Sequence, residues 1–106
     1  MKKYKVKIAP EALGDIRDIK DWYNDARSGL GERFQNTTIK QINSLNQNSQ
    51  LYAIRYNEIR CMIIKKFPFM VHFYINDDSN TVEVLAVIST DRNPKIWLEK
   101  VGKDID

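Results

Sequence analysis

The sequence has few of the residues that usually carry enzyme chemistry. Its 106 residues include one cysteine, one histidine, four glycines and three prolines. A single cysteine cannot form an internal disulfide or a cysteine-rich metal site, which favours a reducing compartment. The sequence has no glycine-rich phosphate loop, no His-Glu-x-x-His pattern and no paired cysteines. Nucleotide hydrolysis and metalloenzyme chemistry are therefore unsupported, and we expect no cofactor and no metal.

Long apolar runs are also missing. No stretch approaches the roughly 20 residues of a membrane-spanning helix, and the first residues lack the apolar core of a signal peptide. With 42% hydrophobic and 29% charged residues, the composition is that of an average globular protein. We therefore expect a single cytoplasmic domain over residues 1–106, with no membrane contact.

The basic residues are unevenly placed, although the formal net charge is only +3. Residues 1–8 carry four lysines and no acid, and segments 51–75 and 92–103 each have an excess of three bases. Residues 76–91 carry four acids and no base. If the basic segments meet in space, they form a face suited to phosphate or to an acidic partner protein. A solvated surface of mixed charge is the alternative.

The first half of the chain predicts one strand and two helices. Tyr4, Val6 and Ile8 alternate with lysines, which is typical of a strand with one buried face. Pro10 suits the first position of a helix, and Ser28-Gly29 predicts a turn before a second helix. Because the link is short, the helices should form an antiparallel hairpin. Their apolar stripes are Ala12, Ile16, Ile19 and Tyr23 in the first helix and Leu30, Phe34, Thr38, Ile42 and Leu45 in the second.

The second half predicts a sheet. Four segments are rich in isoleucine, valine, phenylalanine and tyrosine, namely Leu51–Tyr56, Ile59–Phe67, Phe69–Ile75 and Thr81–Ser89. The turns between them are too short for crossovers, so the strands should form an antiparallel meander. A short helix is expected around Lys95–Val101, after Pro94. The predicted fold class is α+β, with a helical hairpin on one face of the sheet.

Few side chains offer acid–base chemistry. His72 is the one side chain that ordinarily titrates near neutral pH, and it lies in the middle of a predicted strand. A packed or hydrogen-bonded histidine is the favoured interpretation, with a ligand-facing or general-acid role as the alternative. Cys61 could pair with it as a thiol nucleophile, but a small buried hydrophobic side chain is the favoured interpretation.

The basic strand residues suggest binding. If Asn57-Glu58 is a two-residue hairpin loop, Arg55 lies opposite Arg60, and such like charges are stable only around an anion. This predicts a site for a phosphodiester or an acidic side chain. Asn-Glu lacks the glycine that such a turn prefers, so another register is the alternative. Lys65 and Lys66 should point to opposite faces of their strand. Lys66 then shares a face with Arg60, and these two could contact successive phosphates of an extended nucleic acid strand, with solvated charges as the alternative.

Two motifs resemble those of the RelE/ParE toxin superfamily. Arg60 followed by Ile63–Phe73 is similar to its signature of an arginine, a strand, Phe-Pro-Tyr and a second strand. Val87–Trp97 resembles its closing motif of a strand, a histidine, Arg-Asp-Pro and a tryptophan. The first strand, the Ala-Pro start and the helical hairpin also match, so the resemblance covers nearly the whole chain. It implies a small curved antiparallel sheet packed against a helical hairpin.

The resemblance implies a toxin of a type II toxin–antitoxin module, in a family also known for plasmid stabilisation, that a cognate antitoxin wraps and neutralises. The RelE-like branch cleaves mRNA on the ribosome with basic residues and a C-terminal tyrosine or histidine. Here Ser89 stands where a histidine is common, and neither residue type occurs after Asp91. If the chain is a ribonuclease, the candidate catalytic residues are Arg60, His72 and Arg92.

The long hairpin and the Phe-Pro-Phe segment look more like the ParE-like branch, which is similar to proteins that inhibit DNA gyrase without cleaving anything. A ParE-like, non-catalytic toxin is thus the favoured function. The alternatives are a ribosome-dependent mRNA endonuclease and a non-toxic interaction module. The predicted target- or antitoxin-binding residues are Arg55, Arg60, Lys65, Lys66, Arg92 and Trp97. The structural alternative for Arg92-Asn93-Pro94 is a helix start, with Asn93 as its cap and Trp97 packed on the sheet.

Overall fold

The computed structural model describes residues 3–101. Lys2 and Lys103, which belong to two of the basic segments, lie outside the described residues. The elements are β1 (Lys5–Ile8), α1 (Pro10–Ala26), α2 (Leu30–Asn48), a 3-10 turn (Ser49–Leu51), β2 (Ile54–Tyr56), β3 (Ile59–Ile63), β4 (Phe69–Asn76), β5 (Thr81–Ser89) and α3 (Pro94–Val101). The α+β class, the helical hairpin and the C-terminal helix are confirmed.

The five strands form one open sheet in the order β1-β5-β4-β3-β2. Strands β2 to β5 are an antiparallel meander, as predicted. Strand β1 runs parallel to β5, so the sheet is mixed and not antiparallel throughout. No tight turn joins these two strands, since both helices and strands β2 to β4 lie between them in the chain, and so long a connection permits the parallel direction.

Both faces of the sheet are covered. The helical hairpin packs on one face, where Phe34, Ile42 and Phe73 are fully buried in the larger core. Helix α3 covers the other face through Trp97 and Val101, which pack in a second cluster of buried residues. The predicted helical stripes are largely confirmed, since most of their members are buried or packed against the larger core.

The two helices touch at a glycine. A Cβ added to Gly31 would lie 2.2 Å from the carbonyl oxygen of Lys20, so only glycine permits this approach. Gly29, which precedes α2, has a φ of 88° and offers no side-chain cap. Asn24 of α1 supplies that cap instead, because its Oδ1 accepts a hydrogen bond from the Gly31 N–H at 2.7 Å. A donor that helix geometry leaves unpaired is thereby satisfied from the neighbouring helix.

Two helix side chains reach the edges of the sheet beyond its short outer strands. Strand β1 pairs with β5 only as far as Val84. Further along β5, the Val87 N–H donates a hydrogen bond to Oδ2 of Asp15 at 2.9 Å. On the opposite side, Gln41 donates to the Ile63 carbonyl at 3.0 Å and accepts from the Lys65 N–H at 2.7 Å. Backbone groups that no strand pairs are thus satisfied by α1 and α2.

Asp15 also holds the C-terminal helix, because Nζ of Lys100 lies 2.7 Å from its Oδ1. We expect Asp15→Ala to lower the free energy of unfolding by about 2 kcal/mol, since it leaves a backbone N–H and an ammonium group without their acceptor. Urea denaturation followed by tryptophan fluorescence measures this change. Asp18→Ala is the matched control: the Asp18 side chain is 77% exposed, so we expect a change below about 0.5 kcal/mol. Equal losses in both variants would contradict this role of Asp15.

Candidate functional site

A groove of about 620 Å³ lies between α2 and the segment that joins β3 to β4. Four basic residues line it: Arg33 and Lys40 on α2, and Lys65 and Lys66 on the opposite wall. Among the described residues that line the groove, none is acidic. The α2 wall also presents hydroxyl and amide groups, from Thr37, Gln41, Ser44 and Asn48. We call this feature the basic groove.

The basic groove also has an apolar lining, which comes from Leu30, Tyr52 and Phe67. The Phe67 ring packs edge-on against Phe34, with ring centroids 5.3 Å apart, and the Tyr52 ring packs against Phe73 at 5.9 Å. Both aromatic rings are therefore anchored in the larger core and fix the shape of the groove.

The predicted orientation of Lys65 and Lys66 is wrong, because strand β3 ends at Ile63. Lys66 has a φ of 68°, which takes the chain out of the extended conformation. Pro68 follows and has no N–H to donate to a strand ladder. The two lysines therefore lie in a turn, and both line the basic groove from the same side.

Arg60 does not line the basic groove but is bonded to Tyr52, which does. Its Nη1 donates to the Tyr52 carbonyl at 2.6 Å and approaches the Gln50 carbonyl at 3.4 Å. Both contacts hold the segment that precedes β2 against β3. The sequence predicts a binding role for Arg60, and the structure shows the guanidinium engaged with main-chain carbonyls.

The predicted pairing of Arg55 with Arg60 is wrong. Tyr56 pairs with Ile59 as expected, and both residues of the Asn57-Glu58 turn have positive φ. However, a bulge between Ile54 and Tyr56 pairs Ile54 with Arg60. Since a bulge redirects the side chain it carries, the Arg55 guanidinium lies over the Trp97 ring, 5.9 Å from its centroid. The two arginines are on opposite faces of the sheet and cannot bind one anion.

His72 is fully buried on the face that α3 covers. Its Nδ1 lies 2.9 Å from the Tyr56 hydroxyl and 3.5 Å from Sγ of Cys61, and its ring centroid is 5.0 Å from that of Trp97. The interpretation of His72 as a packed, hydrogen-bonded residue is confirmed. The imidazole faces neither the basic groove nor bulk water.

Burial favours the neutral forms of both His72 and Cys61. Burial lowers the pKa of His72 to about 4, with smaller contributions from the positive charges of Arg55 and Lys100. Burial also raises the pKa of the Cys61 thiol to about 11, although Arg55 acts in the opposite direction. A catalytic cysteine–histidine pair needs the thiolate and the imidazolium, and both shifts disfavour these forms.

Arg92 lies elsewhere, in a cleft of about 250 Å³ between α1, β5 and α3 that Asp15 and Asp18 also line. The structural interpretation of the adjoining motif is confirmed: Oδ1 of Asn93 accepts from the Lys95 N–H at 2.9 Å and caps α3. Trp97 lies on the buried side of this helix and packs on the sheet, and its buried Nε1 has no hydrogen-bond partner among the described residues.

The structure therefore separates the predicted site residues. Lys65 and Lys66 meet in the basic groove, Arg60 lies behind it, Arg55 and Trp97 are on the other face with His72, and Arg92 lines its own cleft. The sequence interpretation missed Arg33 and Lys40. Their spacing of seven residues places both on one side of α2, and this periodicity was the available signal. Within residues 3–101, no three potential metal ligands cluster, and none of the helices is long and apolar enough to cross a bilayer.

Comparison with known proteins agrees with this fold. The sequence matches the family described as the ParE toxin of the type II toxin–antitoxin system, parDE, over residues 6–94. A chain of the chromosomal ParDE system from P. aeruginosa is 17% identical, with a TM-score of 0.74 and coverage of 84% of this chain and 98% of that one. No curated protein sequence gives a significant match.

Two further solved structures have the same fold. A free mutant of the E. coli toxin RelE is 13% identical, with a TM-score of 0.72 and coverage of 98% of this chain and 99% of that one. The toxin–antitoxin complex RelBE2 from Mycobacterium tuberculosis contains a chain that is 15% identical, with a TM-score of 0.60 and coverage of 82% and 98%. At these identities, the similarity to solved structures shows the fold alone. The family match covers residues 6–94, which is most of the sequence, and therefore shows the family. The chain belongs to the ParE toxin family of type II toxin–antitoxin systems.

Proposed function

We propose that this toxin acts in the cytoplasm by binding its target, DNA gyrase, and that a cognate antitoxin neutralises it. The observation that carries the non-catalytic part of the proposal is the position of His72. This imidazole is fully buried, is hydrogen-bonded within the fold and has a pKa of about 4. It is therefore held away from any bound substrate.

Cleavage of RNA by attack of a 2′-hydroxyl needs a group that accepts its proton and cations that stabilise the charge on phosphorus. The chain has exposed cations, but its histidine is buried and Nη1 of Arg60 is bonded to main-chain carbonyls. This separation supports a toxin that binds its target over one that cleaves RNA.

The antitoxin part of the proposal rests on the family and on charge. The RelBE2 structure is that of a toxin–antitoxin complex. An acidic partner would be attracted to the net positive charge of this chain and to its exposed lysines, Lys5 and Lys7 of β1 among them.

The predicted binding residues divide into two groups under this proposal. Lys65, Lys66, Arg55 and Arg92 are exposed, so we assign them to contacts with the target or the antitoxin. Arg60 donates to main-chain carbonyls and Trp97 is buried between α3 and the sheet, so both shape the surface and do not form it.

We expect the purified chain to inhibit supercoiling by gyrase and to leave mRNA intact in a translating extract. Inhibition should reach completion near one toxin per gyrase complex, because a binder must occupy each enzyme. Gel analysis of plasmid topology and primer extension on a reporter mRNA measure the two activities on the same preparation. Toxin mixed beforehand with the antitoxin is the control and should leave gyrase active.

A ribosome-dependent endonuclease gives the opposite pattern. It would fragment mRNA at substoichiometric concentrations, since one molecule turns over many substrates, and it would leave supercoiling unchanged. That result would contradict the gyrase proposal. No effect in either assay, together with normal growth of cells that express the chain alone, would indicate a non-toxic interaction module and contradict both toxic activities.

A further inference from the structure

We propose that the basic groove binds a nucleoside di- or triphosphate, with its phosphates near the start of α2 and its base near the end of that helix. This inference goes beyond the proposed function, because neither inhibition of gyrase nor neutralisation by an antitoxin calls for a small ligand. A nucleotide in the groove would also compete with any macromolecule that contacts Lys65 and Lys66.

One half of the basic groove holds all of its charge. Arg33 and Lys40 belong to the first part of α2, and the Lys65 N–H is bonded to Gln41, the neighbour of Lys40. Among residues 3–101, none of these three cations is ion-paired, and neither is Lys66. Four cations that face one space repel one another, so a polyanion relieves a cost that the protein alone carries. Phosphate groups suit such a cluster, because arginine and lysine donate charge-assisted hydrogen bonds to them.

The other half of the groove is polar but uncharged. Residues 41–54 include no charged side chain, and Ser44, Asn48 and Tyr52 form this part of the lining. The amide of Asn48 and the hydroxyl groups can hydrogen-bond to the edge of a heterocyclic base. The groove therefore suits a ligand that is highly charged at one end and neutral and polar at the other, as a nucleotide is.

Tyr52 gives this neutral half a fixed aromatic wall. Its ring is half-buried and packs edge to face with Phe73, with the ring centroids 5.9 Å apart. The Tyr52 carbonyl accepts a hydrogen bond from Arg60 at 2.6 Å, which holds the segment in place. Because the ring is already fixed, packing a base against it costs little conformational entropy.

Size and charge distribution favour a free nucleotide over a nucleic acid. The volume of about 620 Å³ lies within the roughly 300–1,000 Å³ of small-molecule sites. A nucleic acid strand needs positive charge along its backbone and several open aromatic faces. Here the charge on α2 stops at Lys40, and Phe67 is packed against Tyr23 and Phe34 at 5.2 and 5.3 Å. The groove thus suits one base and its phosphates.

The lining also predicts how the phosphates are neutralised. Mg²⁺ in nucleotide sites is held by protein carboxylates together with phosphate oxygens. No carboxylate belongs to the part of the groove lining that the structure describes. The arginine and the three lysines therefore take the role of the metal, and nucleotide binding should persist in EDTA.

Calorimetric titration of the purified chain tests the site, with ATP and UTP as probes at 0.15 M NaCl, about the physiological ionic strength. We expect a Kd below about 100 μM for at least one of them, in EDTA. Tripolyphosphate and the corresponding nucleoside should each bind at least about tenfold more weakly, because each lacks one half of the contacts.

Three variants locate the site. Arg33→Gln with Lys40→Gln removes both charges of the α2 wall and should weaken nucleotide binding roughly 100-fold. Arg27→Gln with Lys95→Gln is the matched control: these exposed cations line neither cleft, so the affinity should stay within about twofold. Asn48→Ala should weaken the nucleotide roughly fivefold and leave tripolyphosphate unchanged. Circular dichroism checks that the variants are folded.

Several results would overturn the proposal: no binding of either nucleotide at about 1 mM, or equal affinities of the two double variants. Equal affinity for tripolyphosphate and nucleotide would do so too, since the site would then recognise phosphate alone. A strict requirement for Mg²⁺ would place the ligand on carboxylates elsewhere. Tighter binding of a single-stranded oligonucleotide of about 12 nucleotides than of either nucleotide would assign the groove to nucleic acid. Because these titrations contain neither gyrase nor antitoxin, their outcome is independent of the proposed function.

Discussion

Gly31→Ala is expected to lower the free energy of unfolding by about 3 kcal/mol, although alanine is the better helix former. The new Cβ would lie 2.2 Å from the carbonyl oxygen of Lys20 and 2.6 Å from two side-chain atoms of Asn24. The backbone oxygen cannot rotate away, so the helices must separate, and the bond from Asn24 to the Gly31 N–H would be strained as well. Urea denaturation followed by circular dichroism at 222 nm measures the loss.

Gly14→Ala is the matched control, because Gly14 also lies within a helix. A Cβ there would meet only a terminal nitrogen of Arg17, at 3.8 Å. With no clash, the helix propensity of alanine should raise stability by about 0.5–1 kcal/mol. Opposite signs at the two glycines are thus expected, and a stabilising Gly31→Ala would contradict the close helix contact.

His72 is expected to destabilise the fold in mild acid. Its pKa is about 4 in the folded state, against an ordinary value of 6.5 in the unfolded chain. Between these values the unfolded state binds more protons, so stability falls as the pH falls. This contribution is fully present above pH 6.5 and lost by about pH 4, and its size is about 3 kcal/mol. Denaturation midpoints across this range measure it.

His72→Gln isolates this contribution. Glutamine can still hydrogen-bond to the Tyr56 hydroxyl but does not titrate, so its stability should depend much less on pH between 4 and 6.5. The difference in slope is the test, because it does not depend on how stable the variant is at neutral pH. Parallel curves for the wild type and the variant would show that the carboxylates, and not His72, cause the acid sensitivity.

The sequence predicts the elements of this fold well because their residue patterns are local. The helical stripe that ends at Leu45 follows from periodicity, and the strand Thr81–Ser89 follows from its apolar, β-branched composition; each is confirmed. The turn at Asn57-Glu58 and the cap at Asn93 are also local and also confirmed. These features depend on neighbours within a few residues, where propensity and turn chemistry decide the conformation.

The candidate site is less predictable because it depends on contacts between distant segments. A one-residue bulge moves Arg55 to the other face, and no pattern in its short strand signals it. The basic groove joins residues of α2 to a later turn, with Gln41 and Lys65 24 residues apart, so its two walls are brought together only by the fold. Asp15 and Val87, 72 residues apart, meet for the same reason.

The bonds made by Asp15 and Gln41 bear on how this chain avoids self-association. An unpaired strand edge is a template on which another chain can add a strand, and repeated addition leads to aggregation. Strands β1 and β2 are too short to cover the whole length of β5 and β3. Asp15 and Gln41 occupy backbone groups on the stretches of β5 and β3 that these short strands leave uncovered, so another strand could add there only by displacing them.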